Sequence, residues 1–310
     1  MQVRNRHWLV LFLIFFGIPF FFWGGPGYHA ARSFKAAWDL GHILFFGCFS
    51  WLVFQYYQTR EELRCTLRLF LGIFILVLVL GIGVEFMQLG ITGRHPDPYD
   101  VLRNQLGCLV AYVFFCCRKE KYLTLLRTTV LLMLLLAAWP LCRALIDELI
   151  AREQFPVLAD FETPFELARW REGRQLAFDR TLARHGRKSM RVQLSTAMYS
   201  GTALFYFPHD WRGYRWLSLS VYNPEPEPVT LHCRIHDRWH NKSGQAFSDR
   251  FHDKFILRPG WNDLRISLEA VRLAPAGREM DMQYIESFGI FVIRRAKPMV
   301  LHVDYVYLSN

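Results

Sequence analysis

LFLGIFILVLVLGIGVEFMQLGITGRHPDPYDVLRNQLG, residues 69–107, begins as hydrocarbon and ends crowded with charge and amide. Glu85 and Gln88 sit inside the apolar run Leu69–Leu89, and Arg94, Asp97, Asp100 and Asn104 follow closely. A run of about 20 apolar residues is long enough to cross a bilayer. A carboxylate inside such a run is costly and is retained for a partner or a task. The stretch therefore reads as a membrane span that opens into a polar hairpin.

Outward from it, the 310 residues are 52% hydrophobic but very unevenly so. Residues 1–150 are dense in Phe, Leu, Ile and Val, whereas residues 151–310 are polar with short alternating runs. Two domains are expected, divided near residue 150. The first half offers five candidate helical spans: Trp8–Trp23, Leu40–Tyr57, Leu69–Leu89, Val101–Cys117 and Tyr122–Leu141. Arg4 and Arg6 before the first resemble the start of a signal peptide. No small-residue cleavage site follows, so the segment reads as a retained anchor.

Loop charge sets the orientation. With the N-terminus inside, the inner side carries Arg4, Arg6, Arg60, Arg64, Arg68, Arg118, Lys119, Lys121 and Arg127, against Arg32, Lys35, Arg94 and Arg103 outside. This predicts a multi-pass protein of a bacterial inner membrane, N-terminus cytoplasmic, with the second half extracytoplasmic. The net charge of +10 is then partly topological, and no nucleic-acid partner is implied. Of seven cysteines only Cys233 lies in the second half, where a lone thiol forms no internal disulfide. Cys116-Cys117 lacks metal-ligand spacing.

In this topology the polar residues gather at the outer face. Asp39 and His42 are an i,i+3 pair, as are Glu85 and Gln88, and Asp100 and Asn104 are i,i+4; each pair shares a helix face. Glu85, Asp100 and His42 are the candidate acid–base groups, because a carboxylate in low dielectric is pushed toward protonation. Arg94 is the candidate clamp for a phosphate or carboxylate. The alternative is structural: Asp39 and Asp100 as helix N-caps, Gln88 and Asn104 as interhelical hydrogen bonds.

Glu85-x-x-Gln88, then Gly93-Arg94, Asp97, Asp100, Asn104 and Gly107, resembles the signature of the VanZ-like membrane proteins over roughly residues 10–120. Asp39-x-x-His42 resembles that family's other motif, although Leu40 stands where the family has Lys and Phe45-Phe46 where it has a Tyr. The resemblance implies a membrane domain of the kind associated with glycopeptide resistance.

In the second half Leu217–Tyr222, Val229–Ile235, Phe255–Leu257, Leu264–Leu268, Phe288–Ile293 and Leu301–Leu308 alternate between Pro, Gly, Asn or Asp turns. They predict an all-β antiparallel sandwich. The densest chemistry is Asp237-Arg238-Trp239-His240-Asn241 with Asp249-Arg250-Phe251, joined by Arg278 and Asp281. Flat rings beside fixed donors and acceptors suit a sugar, so these ten are the candidate ligand residues. The alternative is an ion-pair network that braces the loop. His232, His236, His240 and His252 also permit a zinc reading, but no further ligand has the spacing.

Asp160-Phe161-Glu162, Pro259-Gly260-Trp261-Asn262 and Leu301-His302-Val303-Asp304-Tyr305 resemble carbohydrate-binding modules of the galactose-binding-like jelly-roll class. That resemblance implies a structural calcium at Asp160, Glu162 and Asp304 and no other cofactor. The sequence thus predicts an envelope protein recognising a cell-surface glycan or its lipid-linked precursor. Two alternatives stay open: a membrane enzyme acting on a lipid-linked head group, or a structural or protein-binding sandwich on a membrane anchor. It fixes no oligomeric state.

Overall fold

Backbone amides in hydrocarbon have only each other as partners, and the N-terminal region meets that demand with helices. In the computed structural model, which describes residues 2–60, 67–91, 97–117, 121–171 and 175–310, they are α1 (Gln2–Phe22), α2 (Arg32–Arg60), α3 (Leu67–Gln88), α4 (Pro98–Ala111) and α5 (Leu123–Gln154). Among the described residues three stretches are long and apolar enough to cross a membrane: Arg32–Gln58, Leu67–Gln88 and Leu123–Gln154. α3 leaves Leu71, Ile75, Val79 and Ile82 exposed, a face suited to lipid rather than water.

The chain divides into two units, Met1–Leu145 and Ile146–Asn310. In the first, α4 starts earlier than the apolar pattern predicts, because Asp97 caps it by accepting from Tyr99 N at 2.9 Å and Pro98 needs no donor there. The cap is thus Asp97; Asp100 lies in the first turn and Asp39 in the interior of α2. α4 continues into a π-helical turn, Tyr112–Cys116. Gly107 of α4 meets α2 so closely that a Cβ there would lie 2.5 Å from Ile43 O and 2.8 Å from Gly47 N. Small residues at such a crossing let backbones approach where lipid offers no hydrophobic drive.

The second unit is two antiparallel sheets, built from β1 (Val157–Ala159), β2 (Leu176–Asp179), β3 (Ser189–Leu194), β4 (Tyr199–Leu204), β5 (Trp216–Asn223), β6 (Val229–Asp237), β7 (Phe251–Leu257), β8 (Gly260–Ser267), β9 (Ile285–Ile293) and β10 (Met299–Ser309). One sheet runs β2-β3-β10-β5-β8, with β1 also on β10; the other runs β4-β9-β6-β7. Alternation decides the faces: Leu231, Cys233 and Ile235 of β6 are buried in the common core with Trp211, Leu219, Phe288 and Val303. Gly260 turns β7 into β8 at φ +90°, and Asn262 closes that turn by accepting from Arg258 N at 2.8 Å.

Two buried groups pin the start of this unit. Arg169, fully buried, donates from Nε and Nη2 to Asp147 Oδ1 at 3.0 and 2.8 Å and from Nη1 to Leu158 O at 3.0 Å. Glu166, also fully buried, accepts from the backbone N–H of Asp160, Phe161 and Thr163.

Candidate functional site

The helices of the first unit bring most of the predicted polar set together. His42 of α2 stands between two groups of α4: Nδ1 meets Asn104 Oδ1 at 3.0 Å and Nε2 meets Asp100 Oδ2 at 3.4 Å. Glu85 Oε2 accepts from Asp97 N at 2.8 Å, and Gln88 Nε2 donates to Phe21 O, near the end of α1, also at 2.8 Å.

Arg94 lies outside the described residues. Among the described residues the guanidinium at the cluster is that of Arg103, whose position in the sequence marks it only as outer charge. It binds Asp100, reaches Asp97 Oδ2 at 3.2 Å and lies 3.5 Å from Asp39 Oδ2. The signal was available: Arg103 follows Asp100 by three residues on one helix face. Glu85 Oε1 and Asn104 Nδ2 are buried with no hydrogen-bond partner. Beside the cluster is a cavity of about 540 Å³, polar where Asp39, His42, Gln88, Asp97 and Asp100 line it and apolar along Phe20, Phe21, Trp38 and Phe45.

In the second unit the predicted ligand loop is turned onto itself. Arg278 grips Asp237 with Nη1–Oδ2 2.6 Å and Nη2–Oδ1 2.9 Å, and Asp249 with Nε–Oδ1 2.6 Å. Asp281 N donates to Asp237 Oδ2 at 2.8 Å, and the Asp281 carboxylate pairs with Arg238 at 3.2 Å. The Arg278 hydrogen bond holds the Asp249 carboxyl at about 2. Burial pushes the Asp237 carboxyl up, yet Arg278 and the N–H groups of Asp281 and His240 bring it below its usual range. His240 and Phe251 are buried, and Asn241 bonds Glu286. Of the ten candidates Trp239 keeps a broad exposed ring, with the Arg238 guanidinium 5.0 Å from it and 3.8 Å from the Tyr284 ring.

A different surface collects the rings. On the outward face of β4-β9-β6-β7, Phe291 stacks on His232 at 5.3 Å and 18°, and His232 on His252 at 5.3 Å and 17°. Tyr199 extends the row beyond Phe291 at 5.9 Å, and Phe247 extends it beyond His252 at 5.0 Å. Tyr199 and Phe247 are exposed. One step along the strands, Arg234 lies across Gly289, where a Cβ would meet its Nε at 2.8 Å. Ser287, one further step along, buries an Oγ that has no partner. Burial, with Lys254, lowers the His232 imidazole below its ordinary value; burial, with His232 and Arg250, does the same for His252. The four histidines of the zinc reading fall into two pairs, His232 with His252 and His236 with His240.

The residues nominated for calcium have other work. Asp160 Oδ1 accepts from Glu162 N at 3.2 Å, and Glu162 Oε1 accepts from Arg187 N and Lys188 N at 2.6 and 2.9 Å. Asp304 Oδ2 accepts from Arg184 N and His185 N at 2.6 and 2.9 Å, while its buried Oδ1 has no partner. That orphaned oxygen suits a cation, but the Lys188 ammonium already occupies the Glu162 carbonyl at 2.8 Å. Among the described residues no three His, Cys, Asp or Glu gather as a metal cage. As arranged, one oxygen each of Glu162 and Asp304 is engaged by backbone N–H groups.

Residues 3–119 match the family model VanZ/LLP1. Among curated proteins none matches the chain. The chain is similar to the family 11 carbohydrate-binding module from Clostridium thermocellum, solved with a β-1,3-1,4-mixed-linked tetrasaccharide, at 16% identity over 50% of this chain and 94% of that one, TM-score 0.36. It is similar to the family 30 module of the same organism's cellulase at 15% identity over 44% and 82%, TM-score 0.34. An exo-β-agarase is similar at 11% identity over 49% of this chain and 24% of that enzyme, TM-score 0.39.

Proposed function

We propose that this chain, VanZ-like over residues 3–119, is an integral membrane protein of the cell envelope that recognises a glycan through its C-terminal sandwich. The observation that carries the reading is the ring row Tyr199–Phe291–His232–His252–Phe247. Pyranose faces are apolar and flat, and they pack on exposed rings. Arg234, on the same sheet, supplies a polar contact of the kind a carbohydrate site also needs. The closed network at Arg278 then braces the neighbouring loop.

The test is binding of the full chain in detergent to a panel of envelope and plant-wall polysaccharides. Phe291→Ala is expected to weaken the best ligand about tenfold or more, as losing a buried aromatic contact costs roughly 1.5–3 kcal/mol. Retention of no polysaccharide, or equal binding by the variant, would remove the reading.

The charge asymmetry of the loops supports an N-terminus in the cytoplasm and five spans, which put the sandwich outside the inner membrane. A reporter enzyme that works only outside the cytoplasm, fused after Asn310, should be active. Activity of a cytoplasm-only reporter at that position would overturn the topology.

A further inference from the structure

We infer that the glycan held by the ring row is an acidic one, whose sugars carry carboxylate or sulfate groups. The inference rests on the glycan reading above and names the chemical class of its ligand.

The strand register fixes what the outward face of β4-β9-β6-β7 presents. Alternate residues of a strand share a face, and so do directly paired residues of antiparallel neighbours. From Phe291 the register carries that face to His232 and Lys254, and from Gly289 to Arg234 and His252. Before the bulge that follows His236, no outward position of the four strands is Asp or Glu. Asp253 adjoins Lys254 in sequence but pairs with Cys233, a core residue, and so belongs to the opposite side. The outward positions of the strands thus carry Arg234 and Lys254 beside the rings and no carboxylate.

Arg250, which immediately precedes β7, adds a third cation and lacks a partner. Its guanidinium packs on the Phe247 ring at 5.2 Å, and that ring in turn meets His252. Its Nε is buried with no hydrogen-bond partner. Burial lowers the Arg250 guanidinium below its ordinary value, and the group that counters this is the Tyr199 phenol rather than a carboxylate. Phe247 and Tyr199 both belong to the ring row, so the charge stands beside it.

A buried donor is normally satisfied, and a cation withdrawn from water needs opposite charge nearby. Burial keeps the His232 and His252 imidazoles below their ordinary value, so near neutrality they leave the balance of charge unchanged. An anion supplies what these side chains lack. A pyranose stacked on a ring projects its equatorial substituents from the edge, toward the flanking cations. A guanidinium meets a carboxylate or sulfate there with paired N–H donors.

The test titrates the full chain in a nonionic detergent with polygalacturonate and its carboxyl-reduced counterpart, and with dextran sulfate and dextran. At least one acidic polymer should bind about tenfold more tightly than its neutral counterpart, the scale of a charge-assisted contact. Arg250→Gln should lose most of that preference, and Arg250→Lys, which keeps the charge, should retain part of it. Arg187→Gln, at an exposed turn outside this sheet, should leave the preference intact; the thermal midpoint of each variant reports folding. Whichever acid is held more tightly, the result supports the inference and tells a carboxylate from a sulfate ester.

Neutral polymers bound as tightly as acidic ones would overturn the inference and leave the glycan reading standing. So would a preference that survives Arg250→Gln, or one that Arg187→Gln lowers as much. Retention of no polysaccharide would remove the glycan reading itself.

Discussion

Asp147→Ala is expected to unfold the C-terminal unit at temperatures the parent tolerates. Arg169 is fully buried and spends Nε and Nη2 on the single oxygen Asp147 Oδ1. Without that oxygen the guanidinium keeps one hydrogen-bond partner, Leu158 O, and only the more distant charge of the buried Glu166 carboxylate. Breaking one side of a buried pair costs about 3–5 kcal/mol, a large part of the roughly 5–15 kcal/mol that holds a domain. Denaturant titration of the full chain, followed by tryptophan fluorescence, measures the loss. Replacing both partners with apolar residues, Asp147→Leu with Arg169→Met, should recover only part of it, because the buried Glu166 then loses the charge that Arg169 sets beside it. A loss below about 1 kcal/mol for Asp147→Ala would show that water reaches the guanidinium.

Gly107→Leu is expected to have a comparable effect on the N-terminal unit. The new Cβ would stand 2.5 Å from Ile43 O and 2.8 Å from Gly47 N, both backbone atoms of α2, which have no rotamer to yield. α2 and α4 must separate, and the cost belongs at or beyond the upper end of overpacking, about 3 kcal/mol. Separation also dissolves the site, since His42 is on one helix and Asn104 and Asp100 are on the other. The expected result is a lowered thermal midpoint in detergent. Gly72→Ala is the control: a Cβ there meets nothing within 4 Å, and its midpoint should stay unchanged. An unchanged midpoint for Gly107→Leu would mean that the helices are not in contact at Gly107.

What the sequence disclosed, and what it hid, follows from which interactions are local. The strands β5, β6, β9 and β10 alternate apolar and polar over long stretches, and period two is visible in any window of that length. β1 and β2 are three and four residues long, too short to show a period, and β4 is interrupted by Gly201 and Ala203. The membrane polar set was legible because polar residues are improbable in hydrocarbon. The part of Arg103 in it went unread because i,i+3 adjacency between Asp100 and Arg103 competes with the more conspicuous Arg94 in the loop.

The ring row was hidden for a different reason. Tyr199, His232, Phe247, His252 and Phe291 are dispersed over nearly a hundred residues and meet only through the pairing order β4-β9-β6-β7. The Asp237–Asn241 stretch was conspicuous because its chemistry is contiguous, yet contiguous opposite charges satisfy one another first.

Gly289 has a consequence for how that face meets a polymer. Because it lacks a side chain, Arg234 lies flat on the sheet one step beyond the rings, with Ser287 one step further. The surface is therefore different at its two ends: aromatic at one, cationic at the other. A sugar chain also differs at its two ends. For a glycan bound as proposed above, the forward and reversed alignments on such a face would not be equivalent, and the sheet would distinguish the direction of the chain as well as its composition.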